Sequence, residues 1–164
     1  MAEITEAAFD NFFAINTRAP LLLTKELLPL LARGGGIVNI SSASAHISSP
    51  GNILYAMSKA ALESMTRNLA EVVAPLGLRV NAVVPGYTDN GHRAFSDPAA
   101  LAYMSSFSLL EGVAEPETVA RAVRFLLSKD AERTTGTLLD VSGGTTLAPR
   151  GKEAKSVRDI LSAQ

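Results

Sequence analysis

Tyr55 and Lys59 stand four residues apart, and Ser42 precedes Tyr55 by thirteen. Residues four apart on a helix share one face. The pair therefore sets an ammonium beside a phenol. A serine arriving from a strand end can complete a site that gives a proton to a carbonyl oxygen or takes one from an alcohol. A free tyrosine titrates near pH 10, so acting as a base near pH 7 requires about 4 kcal/mol of help. A neighbouring cation supplies part of it. Taken singly, each residue has a plain reading: a packed aromatic at a helix start, or a solvated lysine one turn later. The order and spacing of the set favour chemistry.

The elements that must position these groups follow from local pattern. Thr5 is a good N-cap with Glu6 in the first turn. Apolar residues then recur at helical spacing from Phe9 to Leu31, which predicts one long helix over about 6–32, ended by Gly34-Gly35-Gly36. Pro20 and Pro29 lie inside it and predict a kink or a break. Gly36-Ile37-Val38-Asn39-Ile40-Ser41-Ser42 reads as a buried strand, and residues 43–53 as a loop. A second helix is expected over 54–74, stopped by Pro75 and Gly77, and a second strand over 78–84, cut off by Pro85-Gly86. A short helix near 98–106, another over 115–128 and a third strand over 136–141 complete the series. Strands alternating with helices predict parallel βαβ units in an α/β fold.

The chain has 164 residues, 47% hydrophobic and 19% charged, which is a single globular domain by size and composition. No apolar run has the length of a membrane span, and the start lacks a signal-peptide core. The net charge of −1 gives no reason to expect a nucleic-acid or anionic-membrane partner. Cysteine is absent, so there is no disulfide framework or thiolate metal site. These features set the expectation of a cytoplasmic protein. His46 and His92 stand without a carboxylate at metal spacing and receive no role. Residues 149–164 form a charged tail, with a plain reading as a solvated terminus.

The residues now assembled resemble the short-chain dehydrogenase/reductases, over the chain to about residue 148. The resemblance rests on Phe9-Asp10 with Asn16, the segment Gly36 to Ser42, Tyr55-x-x-Ser58-Lys59-Ala60-Ala61-Leu62, Arg79-Val80-Asn81 with Pro85-Gly86, and Gly143-Gly144. It implies an NAD- or NADP-dependent oxidoreductase interconverting a carbonyl and an alcohol, similar to 3-oxoacyl-ACP reductases or related enzymes. By the same resemblance, Tyr55 is the general acid/base. Lys59 supports it and hydrogen-bonds the nicotinamide ribose, and Ser42 steadies the substrate oxygen. Asn16 would hold a water through its backbone, linking Lys59 to solvent. Pro85 and Gly86 would line the nicotinamide pocket. Asn90 stands where the family usually has a Thr that contacts the carboxamide. The helices over 6–32 and 54–74 would pack on a partner subunit, giving a homo-oligomer. Tyr87, Phe95, Tyr103, Met104 and Phe107 point to a partly apolar substrate, or to a segment that packs on itself.

One expected part is missing. The family's phosphate loop, T-G-x-x-x-G-x-G, has no match, and Gly34-Gly35-Gly36 ends a helix rather than starting one. The expectation is the C-terminal portion of the family fold: a partial Rossmann-like doubly wound parallel sheet of about three strands, 5-6-7 of the family order, spanning 1–148. Its first strand would lie at an open edge. NAD versus NADP preference is set in the missing half. The alternatives are a non-catalytic dimerising remnant or a truncated gene product without cofactor binding.

Overall fold

The computed structural model describes residues 4–110 and 112–147, so the expected tail over 149–164 lies outside the described residues. The elements are α1 (Glu6–Phe13), α2 (Ala19–Leu27), β1 (Gly36–Ile40), α3 (Ile53–Val73), β2 (Arg79–Pro85), α4 (Pro98–Ser105), α5 (Pro116–Leu127) and β3 (Leu138–Val141). The strands form one parallel sheet in the order β1-β2-β3, with Ile40 opposite Val83 and Pro85 opposite Val141. This is the partial α/β sheet expected, and β1 is one of its edges.

The long first helix is disturbed at both prolines, but not by a simple kink. Between α1 and α2 a π-helical turn spans Ala14–Arg18, and the N–H of Ala19 reaches the carbonyl of Ala14. Pro20 has no N–H for the Asn16 carbonyl four residues back, so the backbone widens there instead of breaking. Pro29 likewise has none for Lys25. The helix tightens into a 3-10 turn at Leu28–Leu30 and stops, short of the expected end at residue 32.

Core and polar ties share the task of holding helices on the sheet. Ala70, Val73, Leu78 and Val80 are buried together, with Leu28, Leu31, Ile37 and Leu69 packed around them. Val80, Ala82 and Val83 are fully enclosed, as suits a central parallel strand covered on both faces. Arg79 of β2 is buried and donates to the carbonyls of Leu126 (2.6 Å) and Ser128 (3.3 Å), fastening the end of α5. Asn81 donates to the Thr134 carbonyl (2.9 Å) and accepts from the Thr137 N–H (3.1 Å). These bonds replace water for loop groups that lead into β3.

Asn81→Ala should therefore leave a buried donor and acceptor without partners, at a cost of about 2–4 kcal/mol. Urea unfolding followed by circular dichroism checks this: a lower midpoint with an unchanged slope is expected, and an unmoved midpoint would remove Asn81 from the account of how β3 is held.

Candidate active site

The candidate groups gather where β1 and β2 end, the side on which parallel α/β sheets bind ligands. β1 stops at Ile40, two residues earlier than the sequence pattern suggests, although the N–H of Ser41 still bonds the Val83 carbonyl (2.8 Å). The chain then turns into a 3-10 segment, Ala43–Ala45, for which Ser42 is the N-cap. Ser42 Oγ accepts from the Ser44 N–H at 3.2 Å. That contact fixes the side chain through its acceptor and leaves the hydroxyl its proton to donate.

Tyr55 and Lys59 occupy the first two turns of α3, and both are half-buried. The Lys59 ammonium lies 5.7 Å from the centroid of the Tyr55 ring. It donates to the Ile40 carbonyl at 2.8 Å, which ties α3 to the end of β1 just before Ser42. Burial holds this ammonium below the ordinary lysine range. The Tyr55 ring also meets Phe12 of α1 edge-on, with centroids 6.3 Å apart.

Asn16 lies in the π turn and reaches this helix through a side-chain contact. Its Nδ2 donates to Ser58 Oγ at 3.1 Å, and Thr17 Oγ1 donates to the Ser58 carbonyl at 3.0 Å. Ser58 Oγ in turn donates to the Tyr55 carbonyl at 2.8 Å. The fully buried Ser58, between Tyr55 and Lys59 in sequence, is thus the anchor of the π turn. In the sequence Ser58 stands out only as part of the motif from Tyr55 to Leu62.

Pro85 and Gly86 leave β2 at the same end of the sheet as Ser42 leaves β1. Gly86 is required by close approach: a Cβ there would lie 2.7 Å from the Ser142 carbonyl oxygen. Asn90 is exposed farther along this segment, and its Oδ1 accepts from the His92 N–H at 3.1 Å. Its acceptor thus serves its own loop. The aromatic segment packs largely on itself. Phe107 meets Tyr87 at 5.6 Å and Tyr103 at 5.0 Å, and Met104 is buried with Ala94 and Ala100. Of the two expectations for these side chains, self-packing is what the structure displays.

Two further residues at the site were missed. Glu63 is 5% exposed, and one of its oxygens accepts from Ser41 Oγ at 2.5 Å and lies 2.9 Å from His46 Nε2. His46 therefore has a carboxylate partner, seventeen residues away in the chain. A glutamate on a face that also carries Leu62 and Thr66 was the signal available in the sequence.

Comparison with known proteins places the chain in a family. The chain is 37% identical over 147 residues to human "Dehydrogenase/reductase SDR family member 4", covering 87% of this chain and 53% of that protein. It is 39% identical over 153 residues to L-xylulose reductase of Caenorhabditis elegans, covering 88% of this chain and 59% of that one. The chain thus spans a little over half the length of these curated relatives. Among solved structures, the angucycline C-6 ketoreductase LanV with bound NADP superimposes with a TM-score of 0.86 at 38% identity, over 90% of this chain and 57% of that one. A 4-hydroxyisoleucine dehydrogenase complexed with NADH gives 0.84 at 26% identity, over 90% and 63%. The sequence model of the family described as Enoyl-(Acyl carrier protein) reductase matches residues 1–146, and the chain belongs to the short-chain dehydrogenase/reductases.

Proposed function

We propose that this chain carries the proton-transfer half of an NAD- or NADP-dependent oxidoreductase that interconverts a carbonyl and an alcohol. The observation that carries the reading is the Lys59 ammonium, set 5.7 Å from the Tyr55 ring centroid while bonded to the carbonyl of Ile40, two residues before Ser42. In the reductive direction Tyr55 gives its hydroxyl proton to the substrate oxygen, and Ser42 donates a hydrogen bond to the same oxygen. Lys59 stabilises the phenolate left behind; in the oxidative direction the proton returns to Tyr55. A bound nicotinamide supplies or accepts the hydride. Pro85 and Gly86 would line its ring, and Lys59, with one of its three donors on Ile40, has two left for the ribose. Asn90 would meet the carboxamide through its Nδ2.

The Asn16 carbonyl supports the proposed water link. Pro20 cannot donate to it, so the carbonyl is released from the ordinary helical ladder while the Asn16 side chain is held on Ser58. The adenosine and pyrophosphate have no matching loop in these residues, so a second segment or chain is needed to hold them. Titration of NADH and NADPH by fluorescence tests this need: no binding to the chain alone at millimolar cofactor is expected, and tight binding would show that these residues hold the cofactor without a second segment. In any preparation that turns over small β-keto esters or aromatic ketones, Tyr55→Phe should lower kcat by about 10²–10⁴-fold with cofactor binding retained. Full activity in that variant would remove Tyr55 from the mechanism.

A second reading has its own observation. Ile15, Leu22, Leu23 and Leu30 are 49–78% exposed on the first helical run, and Val72 of α3 is 65% exposed. An apolar face of this kind suits a homo-oligomer built on the two long helices. Light scattering after size exclusion should then report a dimer or larger, and Tyr55→Phe should leave that size unchanged.

The half-buried Lys59 also has a consequence for stability. Its folded pKa lies below the 10.5 of the free side chain, so the unfolded chain binds this proton more tightly. The cost of burying the cation is present in full below the folded pKa and disappears as pH rises through 10.5. Urea midpoints of wild type and Lys59→Met should therefore shift in favour of the wild type between pH 8 and pH 10.5. A constant difference would contradict the burial of a charged Lys59.

A further inference from the structure

Glu63 follows Lys59 by four residues, the spacing of a helical ion pair. Its Oε1 nevertheless turns to Ser41 and His46, while Lys59 goes to the Ile40 carbonyl. Ser41 and His46 bracket Ser42. Ser41 immediately precedes it at the end of β1, and His46 closes the 3-10 segment that Ser42 caps. Within that bracket the backbone is already tight: the Ala45 N–H reaches the Ser42 carbonyl at 3.0 Å and the His46 N–H reaches Ala43 at 2.9 Å. One buried carboxylate oxygen thus holds both ends of a short, internally bonded loop. A carboxylate oxygen has lone pairs for both contacts, and His46 Nε2 is the donor in the tautomer that carries its proton there.

We infer that Glu63 is a positioning residue for Ser42, clamping the Ser41–His46 loop to the helix that carries Tyr55 and Lys59. A carboxylate 5% exposed is costly unless its lone pairs are used, so it holds its two donors firmly. Because Glu63 is rigidly part of α3, it fixes the loop relative to Tyr55 two turns earlier. The clamp on the loop stands on geometry alone; its effect on turnover rests on the proposed role of Ser42.

Hydrogen exchange of the full chain, read by mass spectrometry, separates the two. Glu63→Leu removes both bonds and should speed exchange of peptides spanning 41–49 by about tenfold or more, with β2 peptides unchanged. Glu63→Gln keeps an acceptor and should restore most of the protection. His46→Ala, at an exposed position, removes one bond and should give an intermediate effect even where Glu63→Leu fails to fold. Unchanged exchange over 41–49 in His46→Ala and in any folded Glu63→Leu would overturn the clamp, as would an equal acceleration in β2. In a preparation that turns over, His46→Ala should lower kcat and leave the KM for the nicotinamide cofactor unchanged; an unaltered kcat beside faster exchange would overturn the positioning role. Absence of turnover in the wild type would count against the reductase reading, and the exchange result would still decide the clamp.

Discussion

The structure depends on a polar seam between α3 and β1. Lys59, Glu63 and Thr66 stand at successive turns on one face of the helix. They meet, in order, the Ile40 carbonyl, Ser41 Oγ at 2.5 Å and Asn39 Nδ2 at 2.9 Å. Thr66 Oγ1 passes its own proton to the Leu62 carbonyl, so this hydroxyl both accepts and donates. Below it, Ala70 and Val73 continue the same face as ordinary core. Apolar packing alone would let a helix slide along a strand with little change in area. A row of directional bonds fixes the register, and with it the height of Tyr55 above the sheet edge.

That arrangement explains how the described residues hold the candidate groups together. The seam, the Asn16–Ser58 contact and the Pro85-Gly86 turn are all made by elements inside residues 14–86. None of them uses a phosphate-binding loop. The cost falls elsewhere, on β1 as an edge strand and on Ile40, which is 44% exposed. In the longer relatives, of which this chain spans a little over half, more chain is available for such surfaces.

Much of this was legible in the sequence because the signals are local. β-branched runs between glycines and prolines marked all three strands, and the capping and proline rules placed α4 and α5 within a residue or two. The C-terminal end of β1 falls short of the pattern because Ser41 keeps one ladder bond, to the Val83 carbonyl, while Ser42 already caps the 3-10 segment. Pro20 predicts a kink or a break, because a missing N–H looks the same in sequence whether the helix bends, breaks or widens. Glu63 was passed over because a glutamate on a helix reads as solvated. Its burial is created by Ser41 and His46, which come from 22 and 17 residues away. The helix face with Leu62 and Thr66 hints at burial, but no spacing in the sequence names partners so far away.

The π turn at Ala14–Arg18 has a consequence of phase. Each residue of an α-helix turns the chain by about 100°, so one surplus residue sets the two sides of the turn out of step. Before it, α1 presents Phe12 to the ring of Tyr55; after it, α2 presents the buried Thr24, and Leu28 beyond α2 reaches the core. At the offset itself, the consecutive Asn16 and Thr17 both reach one residue, Ser58, which neighbouring positions on a regular helix are poorly placed to do. The turn works as a phase shifter: it lets one continuous helix serve the candidate-site aromatic Tyr55 at one end and a hydrophobic core at the other.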